Sequence, residues 1–312
     1  MIETVVSMEL PVAEHLRVQK NRILPVHPTG KEKRFAVVTG IHGDELEGQF
    51  VCYELQRRLK AAPEQLKGIV DIYPAMNPLG IDSISRGIPM FDLDMNRIFP
   101  GTEEGPMMET LVKRLVDDLD GADMCVDIHA SNIFLMELPQ VRVNEETEEL
   151  LVPYAKKLNV DFVWVHSAAT VLESTLAYSL NKIGVPTLVV EMGVGMRITR
   201  SYGYQLVEGI LNVMKKMGIW EGPVGEVREP IVSSDRAVGY MNADKAGIFV
   251  PKTEIGNEVK VGEVLGEILN PLTGDVEQEI TAPIDGMVFT VREYPVVYSG
   301  SLLGRVLGGK KK

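Results

Sequence analysis

Up to about residue 222, short apolar runs alternate with stretches of helical period. RFAVVTG at residues 34–40 reads as a buried strand. ELEGQFVCYELQRRL follows as an amphipathic helix, with Phe50, Tyr53, Leu55 and Leu59 among its apolar positions. GIVDIYPAMN is the next strand, and MMETLVKRLVDDLDGADMCVDIHA a helix followed by a strand. TLAYSLNKIGVPTLVVEMG repeats that order, and YGYQLVEGILNVMKKMGI is a last helix. Such alternation predicts an α/β/α domain around a mostly parallel mixed sheet covered on both faces.

The helical period ends near GIWEGPVGEVREP. Short β-rich runs then alternate with Gly, Pro, Asn and Asp, as in a small all-β unit. A weak internal repeat marks it. Gly262, Leu265 and Gly266 match Gly300, Leu303 and Gly304, and GIFVP and GMVFT precede the two copies. Two related halves predict a flattened barrel-sandwich like that of biotinyl and lipoyl carriers. A carrier would present a lysine at the hairpin between halves, but residues 270–275 contain none. The expected division is a catalytic domain over 1–224 and a β unit over 225–312, the latter a lid or an assembly surface.

The 312 residues suit one large domain plus a small one. A net charge of −12 argues against a nucleic-acid partner, which needs a basic footprint. Lys310, Lys311 and Lys312 read as a solvated tail. No run approaches the length of a membrane span, and the amino terminus lacks the basic-then-apolar pattern of a signal peptide. Cys52 and Cys125 read as small buried hydrophobes, which fits a reducing cytoplasm. A homo-oligomer without membrane attachment is expected.

In an open α/β sheet, ligands bind at the carboxyl ends of the strands. The residues immediately after the predicted strands are His42-Gly-Asp-Glu45, then His129, then Glu191. Distant strand ends thus bring two histidines and at least two carboxylates to one edge. A catalytic zinc site needs three N or O ligands and an open position. The spacing of His42 and Glu45 lets one turn aim both at an ion, with Gly40 and Gly43 easing the turn, and His129 supplies a third direction. Alone, H-x-x-E also reads as an acidic helix N-terminus.

GIHGDELEG, NPLGIDSISRGIPMFDLDMNRIFPG, DIHAS and VVEMG occur in that order. Together they resemble the succinylglutamate desuccinylase and aspartoacylase family, relatives of the zinc carboxypeptidases. The resemblance runs from about residue 35 to 222. It implies that His42, Glu45 and His129 bind zinc, about one ion per chain. Glu191 would be the general base and then the acid for the leaving amine, with Arg86 polarising the scissile carbonyl. Asn96 and Arg97 would grip a substrate carboxylate. The implied activity is hydrolysis of the amide of an N-acyl amino acid.

Asp127 is expected to orient a histidine ligand, His42, and Asp94 has a similar supporting reading. Both also read as carboxylates serving backbone turns. Arg197, just beyond Glu191, is a candidate substrate contact. His166 reads as a structural histidine, and His15 and His27 as surface residues. The chain departs from aspartoacylase proper, which carries an arginine shortly before its catalytic glutamate; residues 170–191 contain none. A second substrate carboxylate is therefore not implied. The competing expectations are a metallocarboxypeptidase acting on a peptide C-terminus and a catalytically silent binding module.

Overall fold

The computed structural model describes residues 1–166, 173–234 and 237–308; Lys310, Lys311 and Lys312 lie outside them. An antiparallel hairpin, β1 (Ile2–Glu9) and β2 (His15–Ile23), opens the chain, preceding the first strand read from sequence. Then come β3 (Arg34–Thr39), α1 (Glu47–Ala61), β4 (Ile69–Tyr73), α2 (Pro78–Ser83), α3 (Met107–Leu119) and β5 (Met124–His129). The α/β part continues with β6 (Leu135–Asn144), α4 (Glu148–Ala155), β7 (Phe162–His166), α5 (Leu176–Lys182), β8 (Thr187–Gly193) and α6 (Arg200–Lys216). Nine strands follow: β9 (Ile231–Ser234), β10 (Val238–Asn242), β11 (Gly247–Pro251), β12 (Glu258–Val259), β13 (Val264–Asn270), β14 (Asp275–Thr281), β15 (Gly286–Arg292), β16 (Val296–Val297) and β17 (Leu302–Leu307).

The fold is a mixed α/β architecture with a 13-stranded sheet and a second, 4-stranded antiparallel one. At the centre of the large sheet β4, β3, β5 and β8 run parallel. Side-chain parity divides the core. Phe35, Val37, Val126, Val190 and the buried faces of α1, α4 and α6 share one cluster. Ala36, Val38, Cys125 and the buried faces of α3 and α5 share the other. Each fully buried aliphatic contributes about 1.5–3 kcal/mol relative to exposure. α1 buries Val51, Cys52, Leu55 and Leu59, whereas Tyr53 faces solvent at 62% exposure. No described helix is long and apolar enough to cross a membrane.

The repeat in the C-terminal segment has a structural reading. In the first copy β11 pairs with β13, and in the second β15 pairs with β17, both antiparallel. The short strands are exchanged: β12 of the first copy pairs with β15, and β16 of the second pairs with β11. Gly262 and Gly300 occupy the same left-handed turn position, with φ of 82° and 86°. The large sheet takes strands from both sides of residue 225. β9 joins β7 in parallel, and β15 joins β6 antiparallel through Thr290 and Glu137. Edges that β6 and β7 would otherwise expose are thereby covered.

Candidate active site

β3 and β5 end side by side, and the turn after β3 carries His42 and Glu45. That turn is tight because Gly43 rests on another backbone. A Cβ at Gly43 would lie 1.9 Å from the carbonyl carbon of Gly80. His129 is the last residue of β5, and its register partner in β8 is Glu191. The four residues read from strand ends therefore converge on one edge of the sheet.

His42, Glu45 and His129 are each 4% exposed, and one ligand atom from each lies within 4.8 Å of the others. His129 Nδ1 is 3.0 Å from Glu45 Oε2, and His42 Nδ1 is 2.8 Å from Glu45 Oε1. The second approach lacks hydrogen-bond geometry, and His42 Nδ1 is a buried nitrogen without a hydrogen-bond partner. Two imidazole nitrogens and a carboxylate that converge while His42 Nδ1 stays unmet are the donor set of a divalent metal site. The far ring nitrogens are held by carboxylates, as metal-bound imidazoles usually are. His42 Nε2 meets Asp94 at 3.0 Å, and His129 Nε2 meets Asp127 at 3.1 Å. Asp127 thus serves His129 and not His42: two residues apart on β5, their side chains share one face of the sheet.

Charge follows this geometry. Burial opposes ionisation of Glu45, but the His129 hydrogen bond and the close imidazoles of His129 and His42 outweigh it and hold its pKa below the usual carboxylate value. Burial would lower the pKa of His129, yet Asp127 and Glu45 raise it well above that of a free imidazole. Glu191 differs. Burial raises its pKa, and Arg142 and His129 offset that only in part.

A cavity of about 430 Å³ opens beside these residues. Arg86, Asn96 and Arg97 line it with His42, His129 and Glu191. Arg86 reaches Glu45 at 3.0 Å and Asp94 at 3.4 Å. Asn96 Oδ1 accepts from the amide of Leu176 at the start of α5. Arg97 donates to the Asn96 carbonyl at 2.7 Å.

Arg142 was not singled out from the sequence. It lies on β6 in the cavity wall, with Nη1 3.4 Å from Glu191 Oε1. Burial would lower its pKa, but Glu191 and Glu137 raise it.

Other expectations change. Arg197 does not line the cavity; it is 67% exposed and pairs with Glu293 at 3.5 Å. Left-handed turns at Gly193 and Met196 carry it away from the site. His166, read as structural, lies on the cavity wall at the end of β7. His15 and His27 are exposed. Cys52 and Cys125 are buried free thiols, and burial pushes the Cys52 pKa up to about 12. All lining residues of the cavity fall between His42 and Glu191, so the described part of the C-terminal unit forms none of its wall.

The profile of the succinylglutamate desuccinylase/aspartoacylase catalytic domain matches residues 31–217. The N-alpha-acetyl-L-2,4-diaminobutyric acid deacetylase of Halomonas elongata is 27% identical over 300 residues, covering 92% of this chain and 86% of that protein. A succinylglutamate desuccinylase/aspartoacylase structure from Rhodobacter sphaeroides superposes with a TM-score of 0.80 at 25% identity, over 99% of this chain and 96% of the other. The product-bound ectoine utilization protein of Ruegeria pomeroyi shares the fold, with a TM-score of 0.81 at 20% identity over 99% and 95% of the two chains. Cavity, strand-end chemistry and relatives define an enzyme of the amidohydrolase class, of the deacylase type. With more than half its length matched, the chain belongs to the succinylglutamate desuccinylase/aspartoacylase family.

Proposed function

We propose that the protein is a zinc-dependent deacylase of N-acyl amino acids. The observation that carries this reading is the unmet His42 Nδ1 beside Glu45 and His129, with Glu191 the register neighbour of His129. His42, Glu45 and His129 would hold the ion, and Asp94 and Asp127 would fix the two imidazoles. When bound, zinc polarises a carbonyl oxygen and lowers the pKa of water to about 7. Glu191 takes a proton from the attacking water on its carboxylate and returns it to the leaving nitrogen. Its raised pKa suits both halves of that task. Arg86 offers its guanidinium to the developing oxyanion. Arg97 and the Asn96 amide grip the substrate carboxylate. The cavity volume suits one acylated amino acid.

The test is metal analysis joined to a screen of N-acyl amino acids, N-acetyl-2,4-diaminobutyrate among them, with their C-terminal amides and short peptides. About one zinc per chain is expected, lost in His129→Ala. Free acids should be hydrolysed, and amidating the carboxylate should cost about 2–5 kcal/mol in kcat/KM. Full turnover after exhaustive metal removal would overturn the zinc reading. Preferential cleavage of peptides would make the protein a carboxypeptidase instead.

A further inference from the structure

The cavity wall behind Glu191 contains a row of alternating charges that crosses into the C-terminal unit. Arg142 Nη1 faces Glu191 Oε1 at 3.4 Å, and Arg142 Nη2 donates to Glu137 Oε2 at 3.2 Å. Glu137 is 1% exposed. Its other oxygen, Oε1, accepts from Arg305 Nη1 of β17 and from the Thr290 hydroxyl of β15. Trp164 packs against both guanidinium groups, each 5.6 Å from its ring centroid. The four charges cancel in pairs, and each carboxylate and guanidinium faces an opposite neighbour.

We infer that Arg142 is the positioning residue of Glu191, and that Glu137 and Arg305 make this positioning depend on the C-terminal unit. Glu137 is almost fully buried and needs compensation. With Arg305 present, Arg142 is shared between Glu137 and Glu191. Without Arg305, the whole uncompensated charge of Glu137 acts on Arg142 and draws it off Glu191. The C-terminal unit then affects turnover without touching substrate, which agrees with the absence of its described residues from the cavity wall.

The inference rests on the proposed role of Glu191, and the experiment separates the two. Arg305→Met, Arg305→Lys and the double variant Glu137→Gln/Arg305→Met are compared with wild type for kcat, KM and bound metal on the best substrate of the screen. Arg305→Met should lose about 10–100-fold in kcat, the usual effect of removing an outer support, with KM and metal content held. Arg305→Lys should recover part of the loss. The double variant should turn over faster than Arg305→Met, because Glu137 no longer competes for Arg142. A structural role alone would make the double variant as slow or slower, and that result overturns the inference. So does an unchanged kcat in Arg305→Met. Should Arg305→Met not fold, Arg142→Lys, which leaves the Arg305–Glu137 pair in place, carries the test, and a wild-type kcat there is equally fatal. A wild type that hydrolyses no N-acyl amino acid ends the reading of Glu191 and this inference with it. An active wild type with an indifferent Arg305→Met ends this inference alone.

Discussion

Two buried charge clusters occupy opposite ends of the central strands, and they are built differently. At the amino end Asp71 is fully buried and accepts from Arg22 at 2.8 and 2.7 Å and from Arg34 at 2.7 Å. Lys20 binds Asp118 at 2.7 Å beside them. No buried side-chain atom of these five residues lacks a hydrogen-bond partner. At the carboxyl end, His42 Nδ1, Asp127 Oδ1 and Arg142 Nε are buried without one, and a cavity adjoins them. A cluster that completes its own hydrogen bonds has nothing left for a ligand. One left incomplete carries a standing cost of about 1–3 kcal/mol per orphaned group, which a bound partner can relieve.

This contrast predicts that damage at one end appears as rate and at the other as stability. The largest effect belongs to Glu191→Gln. Its amide cannot take a proton, so kcat should fall about 10²–10⁴-fold. Metal content should hold, and thermal unfolding should shift less than in Asp71→Asn. Near-normal turnover would remove Glu191 as the base.

Asp71→Asn should do the opposite, lowering unfolding free energy by about 3–5 kcal/mol while the surviving folded fraction keeps its kcat. Burial opposes ionisation of Asp71, but Arg22 and Arg34 outweigh it and hold its folded pKa below the usual value. Stability from such a group is present above the unfolded pKa of about 3.9 and is lost as pH falls through the folded one. Denaturant titrations of wild type and Asp71→Asn should therefore converge in acid. A gap that stayed constant from neutral pH into acid would mean the charge is not what matters there.

The smallest effect tests the boundary of the open cluster. Arg197→Ala should change stability by no more than about 0.5 kcal/mol and leave kcat/KM intact. A loss beyond about tenfold would bring Arg197 back as a substrate contact.

The open cluster was legible where it follows from strand order. His42, His129 and Glu191 lie at or just beyond the ends of predicted strands, and parallel pairing delivers strand ends to one edge. Arg142 was not, for a reason of phase. Glu137 and Arg142 are five positions apart, an odd spacing that places two residues on opposite faces of a regular strand. A register shift between Glu137 and Gln140 turns them to the same side. Arg197 misled in the converse way. It is near Glu191 in sequence, but the positive φ of Gly193 and Met196 redirects the chain. The C-terminal repeat was visible, but the exchange of its short strands was not, since pairing partners leave no mark on so few residues.

The pairing of β15 with β6 also fixes an order of events during synthesis. Arg305 follows Glu137 by 168 residues. Domains fold broadly from the amino terminus as the chain emerges, at about 5–20 residues per second. His42, Glu45 and His129 are therefore translated long before β15 and β17 exist to close the row behind Arg142. A nascent or prematurely stopped chain would gather its proposed metal ligands while Glu137 still lacked its outer partner. On the inference above, metal uptake and catalytic competence are then separate milestones, and the second waits for β17.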